Sequence, residues 1–351
     1  MTALQALLIF LISFMVVAVL FKMPVSFALG TSSLLVLAFG GYNLVTVPQF
    51  AFSGLDSFAL LAIPFYIFAG VIMEYSGISK MLIDWIKSFV GRIRGATGVI
   101  TICACMAFGV LTGSAMATIS AIGKMMVPEL EKEGYPKAYN SALLAATCFL
   151  GILIPPSVPG IMYALASGGK ISEIWMSTIG PAFIFAVGYF VINYFRIGRH
   201  QVKPEKVNMA FSEKARQIGK STFYAIPALL MPIIILGGIY SGAFSPTEAG
   251  VVSCVYGLIV GLFLYKELDY KKILPMFKSK VNFLGGMMFC FAPAGALGAV
   301  FAYLGYTTII KNFFLNISSN PYIIVLLIYA FLFVAGMFVQ TAPIIVIISP
   351  L

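Results

Sequence analysis

The chain has 351 residues, of which 61% are hydrophobic and only 10% charged, with 22 Lys plus Arg against 12 Asp plus Glu. A soluble domain carries roughly a quarter charged residues, and a mean hydropathy of +1.02 cannot be enclosed within one water-facing globule. The composition specifies an all-α polytopic membrane protein, and the net charge of +10 reads as basic residues gathered on one membrane face rather than as a nucleic-acid footprint.

In chain order, apolar runs fall at 2–21, 25–46, 58–74, 96–111, 114–128, 138–167, 174–195, 223–241, 247–265, 282–303 and 321–351. A full helical crossing needs about 20 residues, and most of these runs reach that length. The first lacks a basic start and a small-residue exit, so it reads as a membrane helix rather than a cleaved signal peptide. The runs 96–111 and 114–128 are short, and Thr112-Gly113-Ser114 joins them with no charge to mark a return to water. That combination predicts a re-entrant hairpin over 96–128. The run 138–167 is interrupted at Gly151-Ile152-Leu153-Ile154-Pro155-Pro156-Ser157. Adjacent prolines remove two backbone donors, so the segment predicts a helix broken at membrane depth.

Charge sets the expected orientation. With the N-terminus outside and 96–128 entering from the cytoplasm, 19 of the 22 Lys and Arg lie in inside connections and only Lys170 and Lys311 lie outside. Lys124 falls within the hairpin. This is a strong positive-inside bias. Seven of the basic residues stand between Arg196 and Lys220, in a segment 196–222 that reads as a basic cytoplasmic loop, either ordinary or attracting anionic lipid or a partner.

The two sides of that loop resemble each other. Pro24-Val25-Ser26-Phe27-Ala28 aligns with Pro246-Thr247-Glu248-Ala249-Gly250 at an offset of 222; Ser76-Gly77 aligns with Leu304-Gly305 at 228; Gly109 to Ala115 aligns with Gly336 to Ala342 at 227. Three matches in order at nearly one offset predict two repeats, 1–195 and 223–351, inverted because the first starts outside and the second inside. Inverted repeats with broken helices are a common build of secondary transporters.

Rare residues exclude other chemistry. The single histidine, His200, leaves no Ser/His or Cys/His dyad and no multi-histidine metal site. Asp56, Asp84 and Asp269 sit at the edges of apolar runs, and Cys103, Cys105, Cys148, Cys254 and Cys290 lack metal-type spacing. Gly219-Lys220-Ser221-Thr222 ends like a phosphate loop, but Lys214 stands where its first glycine is required. A membrane-embedded enzyme therefore finds no catalytic set. Ser245-Pro246-Thr247-Glu248 reads as a capping box. Trp85 and Trp175 flank apolar runs and read as interface anchors.

Taken together, Leu61-Ala62-Ile63-Pro64-Phe65 with Ala69-Gly70, Thr112-Gly113-Ser114-Ala115, Gly134-Tyr135, Gly151 to Ser157 and Ser245 to Ala249 resemble the large membrane subunit of tripartite ATP-independent periplasmic (TRAP) transporters, the DctM-like proteins. The family's hairpin motif commonly has serine where this chain has Thr112, a hydroxyl-for-hydroxyl change. The resemblance implies an elevator-type importer in the bacterial inner membrane, working with a small four-helix membrane subunit and a periplasmic binding protein. It implies sodium as coupling ion, no other cofactor, and organic acids such as C4-dicarboxylates, sialic acids or other sugar acids as substrates.

The residues fit that chemistry. Hydroxyls of Thr112 and Ser114 around Gly113, and carbonyls freed around Gly151, Ile154, Pro155, Pro156 and Ser157, supply neutral oxygens of the kind that hold coupling ions. Gln340 and Thr341 are the matching tip of the second repeat. The same residues would also serve close helix packing. Proton coupling normally uses an intramembrane carboxylate, whereas Glu74, Glu173 and Glu248 stand at segment ends; an uncoupled channel or scaffold subunit is the other alternative. Applying the repeat offset to the break at 151–157 places its partner near 379–385, beyond Leu351, so the second repeat is expected to be incomplete, truncated inside its hairpin.

Overall fold

A computed structural model describes residues 3–90, 95–197, 211–337 and 341–349. They are predominantly helical, with no strand among the described residues. The first elements are α1 (Ala3–Met15, continued by a π turn over Val16–Leu20), α2 (Val25–Gly40), α3 (Thr46–Leu55), α4 (Ala62–Tyr75, after a 3-10 turn over Phe58–Leu61) and α5 (Ile78–Val90). Then come α6 (Ala96–Thr112), α7 (Ala115–Lys132), α8 (Lys137–Thr147), α9 (Leu150–Leu153), α10 (Val158–Ser167) and α11 (Ile171–Ile197). The remainder comprises α12 (Phe211–Tyr240), α13 (Pro246–Ile259, continued by a π turn over Val260–Leu264), α14 (Tyr270–Phe289), α15 (Phe291–Tyr303), α16 (Tyr306–Ile317), α17 (Pro321–Gly336) and α18 (Thr341–Ile348).

Among the described residues, five helical segments are long and apolar enough to cross a membrane: Phe58–Tyr75, Ile171–Arg196, Glu213–Tyr240, Pro246–Leu264 and Tyr270–Gly298. A sixth arises if Lys137–Leu153 and Val158–Ser167, bent by 49° where Pro155 and Pro156 stand, form one span. The protein is thus an all-α polytopic membrane protein. Its lipid-type surface is explicit on α17, where no residue is buried.

Hydropathy alone overlooks three helices. In α5, Ile78, Leu82, Ile83 and Ile86 are buried while Lys80 and Asp84 are exposed, one apolar stripe at helical spacing. Such a helix packs by one face and never forms a continuous apolar run; α16 is amphipathic in sequence, although none of its described side chains is fully buried, and α3 is simply short. The basic segment also differs in detail: α12 begins at Phe211, so Lys214, Arg216 and Lys220 ride on its first turns. His200, Arg92 and Arg94 lie outside the described residues.

The chain divides into two compact units. One comprises residues 1–60, 162–169 and 281–351. Its core gathers Phe10 from α1, Leu29, Val36 and Leu37 from α2, Val47 from α3, and Leu297, Val300 and Phe301 from α15. Helices α3 and α15 meet backbone to backbone, since a side-chain carbon at Gly295 would stand 2.5 Å from the Phe50 carbonyl oxygen. Ser53, Ser57, Leu165, Ala294, Gly298 and Val346 help line a cavity of about 310 Å³ in this unit.

The other unit comprises residues 61–161 and 170–280. Here α4 packs on α13, α5 on α12, and α6 on α5, α7 and α9. Two apolar clusters hold it: Val71 and Ile72 with Leu268 and Met276, and Ile102, Leu130, Leu143, Leu150 and Ala186. The box at Ser245 forms, with the Glu248 N–H donating to Ser245 Oγ at 3.3 Å and the Ser245 N–H donating to Glu248 Oε2 at 2.7 Å. The tightest crossing is that of α6 over α9, where a carbon added to Gly109 would collide with Cα of Gly151. Gly109→Ala is therefore expected to lower thermal stability in detergent by about 1–3 kcal/mol through overpacking. Gly180→Ala in α11, where nothing lies within 4 Å of the added carbon, is the control and should leave stability unchanged or raised by up to about 1 kcal/mol. Equal unfolding temperatures for the two variants would show that the crossing is loose.

Candidate functional site

The site grows out of the connection between α6 and α7. Helix α6 ends at Thr112, and Gly113 takes a left-handed conformation, φ 58°, which a residue with a side chain adopts only at a cost. Ser114 is extended and caps α7, its Oγ accepting from the Ala117 N–H at 3.4 Å. The two helices thus turn around within three residues, and the turn is a polar knot. Thr112 Oγ1 donates to the Phe108 carbonyl at 3.2 Å and stands 3.5 Å from Thr118 Oγ1; Thr118 Oγ1 in turn donates to the Ser114 carbonyl at 2.9 Å.

The break between α9 and α10 comes directly against this tip. The Val158 N–H, the first of α10, donates to the Gly113 carbonyl at 3.4 Å. A carbon on Gly113 would meet the Pro156 carbonyl oxygen at 2.5 Å and Ser157 Cα at 3.3 Å. One on Gly151 would stand 2.6 Å from Thr118 Oγ1. Pro155 and Pro156 have no N–H to return to the carbonyls of Gly151 and Ile152, so those acceptors gain no helical partner. The structure therefore brings together Thr112, Gly113, Ser114, Gly151, Pro155, Pro156 and Ser157, with Ile154 half-buried in the same break. Thr341 belongs to the other unit, where it opens α18 and is exposed; Gln340 lies outside the described residues.

Two participants escape the sequence reading. Thr118 is buried among the site oxygens; its position four residues after Ser114, on the same face of α7, was the available signal. Trp175 is not an interface anchor: it is 0% exposed, and its indole N–H donates to the Ser157 carbonyl at 3.1 Å. The anchoring rule counts sequence distance from a run's end, whereas α11 starts earlier, at Ile171, and turns that ring inward. Trp85 is half-buried and donates to Thr222 Oγ1 at 3.1 Å.

Polar ties fix the hairpin's other end. Lys87 pairs with Glu129 at 2.5 Å, Thr97 Oγ1 bonds to Glu133, and Asn193 Nδ2 donates to the Gly95 carbonyl at 3.4 Å. Along α4, Gly70 leaves room for Thr112, whose Cβ would be 3.0 Å from an added carbon. Glu74, one turn further, is only 11% exposed and is met by Lys124 Nζ and Ser120 Oγ, each at 3.5 Å. Among the described residues no three His, Cys, Asp or Glu side chains group as a metal site. The site's chemistry is that of neutral oxygens.

Comparison with known proteins identifies this architecture. The family model described as "Tripartite ATP-independent periplasmic transporter, DctM component" matches residues 11–351. The chain belongs to the DctM family. This DctM chain is 34% identical to a putative TRAP transporter large permease protein of Haemophilus influenzae over 97% of its own length and 80% of that protein's. It is 30% identical to the sialic acid TRAP transporter large permease protein SiaM of Vibrio cholerae, covering 93% and 76% of the two chains. With the C4-dicarboxylate TRAP transporter large permease protein DctM of Pseudomonas aeruginosa the identity is 31%, over 84% and 68%. As a DctM component the chain is a transport protein, not an enzyme.

The tip geometry carries a direct test. Gly113→Ala places a carbon both in the left-handed region and against the Pro156 carbonyl, and is expected to destabilise the DctM chain by at least about 1–2 kcal/mol. Gly168→Ala, also at positive φ (71°) but with nothing within 4 Å of the added carbon, isolates the conformational part. The excess of the first over the second measures the tip–break contact, and no excess would mean that the contact is not formed.

Proposed function

We propose that this DctM chain is the large membrane subunit of a sodium-coupled TRAP importer of small organic acids, with the coupling ion held where the hairpin tip meets the proline break. The observation that carries this reading is the convergence of Thr112, Thr118 and Ser114 oxygens on the Gly151 face of a helix whose carbonyls are freed by Pro155 and Pro156. Neutral oxygens and unwound carbonyls suit a monovalent cation, and the N-termini of α7 and α10, which meet at the same place, suit the carboxylate of a substrate. Relatives named for sialic acid and C4-dicarboxylate support the substrate class. Family membership supports a small membrane subunit and a periplasmic binding protein as partners in the inner membrane.

The order of elements supports the inverted repeat and, with it, the elevator. Helices α4 to α7 run as apolar helix, glycine turn, amphipathic helix and two further apolar helices; α15 to α18 repeat that order, with 338–340 outside the described residues. The glycine turns correspond at Gly77 (φ 81°) and Gly305 (φ 67°), and Gly70, Tyr75 and Gly77 align with Gly298, Tyr303 and Gly305 at one offset of 228. The distribution of basic residues supports an N-terminus outside and a cytoplasmic 196–222 segment.

Proton coupling has a specific candidate among the described residues, the partly buried Glu74 carboxylate, but Lys124 and Ser120 already engage it. In proteoliposomes containing the partner subunits and binding protein, uptake is expected to follow an imposed sodium gradient and to ignore a proton gradient. Thr112→Val and Thr118→Val should each raise the half-saturating sodium concentration roughly 5- to 150-fold, the effect of losing about 1–3 kcal/mol at a buried oxygen. Uptake that persists in choline and tracks pH would replace sodium by protons. Independently, in a background lacking the five native cysteines, a cysteine at Ser279 should react only from the cytoplasm and one at Gln49 only from outside; the reverse pattern would invert the orientation.

A further inference from the structure

Trp175 fills a space that only a glycine leaves open. Its ring lies where a carbon on Gly160 would come within 2.8 Å of Nε1, and its edge packs on Tyr66, with ring centroids 5.9 Å apart and planes at 81°. Tyr66 is 1% exposed and stands one helical turn before Gly70, the residue that receives Thr112. Packing alone would be met by phenylalanine. A buried indole N–H needs an acceptor as well, and here it selects the Ser157 carbonyl, at 3.1 Å, which also accepts from the Ile161 N–H of α10 at 3.1 Å. The Ser157 hydroxyl is engaged in parallel, accepting from the Gly160 N–H at 3.1 Å. The last residue of the break is thereby held at both its carbonyl and its side chain, while the carbonyls of Gly151 and Ile152 stay free of helical donors.

We infer that Trp175 is a positioning residue for the coupling-ion site: it fills the acceptor position that the Ile161 N–H leaves open on the Ser157 carbonyl, fixes the first turn of α10 against the hairpin tip, and so determines which backbone oxygens of the break remain available. This inference rests on the proposed sodium site. A ring in contact with the break also reports on it. The chain has two tryptophans, so Trp85→Phe leaves Trp175 as its only indole.

The decisive measurement is a sodium titration of Trp175 emission in the purified Trp85→Phe protein in nanodiscs, with choline balancing the ionic strength, beside sodium-dependent uptake by the same protein with its partner subunits. A saturable change in emission is expected, with a midpoint matching that of uptake and moved upward by Thr112→Val. Trp175→Phe, which keeps a ring on Tyr66 but loses the donor, should raise the half-saturating sodium concentration about fivefold with maximal uptake and protein level retained. Thr112→Val without effect on sodium dependence would sink the site itself. A shift with Thr112→Val, but silent Trp175 emission or unchanged sodium dependence in Trp175→Phe, would overturn the positioning role alone. A lower sodium requirement in Trp175→Phe would overturn it too, since the vacated acceptor position on the Ser157 carbonyl would then be serving the ion. If Trp175→Phe does not fold, the emission titration decides by itself.

Discussion

The larger unit depends on one contact, the seating of the α6–α7 tip on the break between α9 and α10. Nothing about it is strong. It consists of one long hydrogen bond from Val158 to the Gly113 carbonyl and two backbones brought together because Gly109 and Gly151 have no side chains. Its importance is geometric. An interrupted helix in apolar surroundings must find partners for the groups it frees, and a hairpin whose tip is buried must do the same. Each satisfies part of the other's need, which makes a polar, irregular backbone tolerable inside the unit. The ties at the far end of the hairpin, from Lys87, Thr97 and Asn193, keep the two arms in register for that meeting.

The elements of the candidate site were legible in the sequence for physical reasons. Glycine between hydroxyls without a neighbouring charge, and two consecutive prolines within an apolar run, each permit few backbone conformations, so their local structure follows from chemistry. That the two features meet is a tertiary fact, which hydropathy does not contain. Thr118 and Trp175 show the limit from opposite sides. Thr118 belongs to a helix face already marked by Ser114, and a register argument reaches it. Trp175 lies in another helix, and only the void above Gly160 explains its inward turn.

The fold was legible to a similar degree. Long apolar runs became helices, and the main departures were α3, α5, α16 and the early starts of α12 and α14. Amphipathic helices such as α5 present polar residues on one side, so average hydropathy dilutes them. The N-terminal turns of α12 carry Glu213, Lys214, Arg216 and Lys220, a composition that hydropathy reads as loop although each of these residues forms helix readily.

The break also separates two kinds of information that usually reside in the same residue. The carbonyl oxygens of Gly151 and Ile152 belong to the main chain and persist whatever side chain occupies those positions; what frees them is the missing N–H four residues later, at Pro155 and Pro156. The position that supplies an acceptor and the position that encodes it are therefore different. Ile152 is free to drift among apolar residues without altering the chemistry it presents, and a scan that deletes side chains would pass over it while registering the prolines. Replacing single amides by esters along 151–157 would probe the oxygens themselves, because it weakens an acceptor, at the cost of the following N–H where there is one, without touching any side chain.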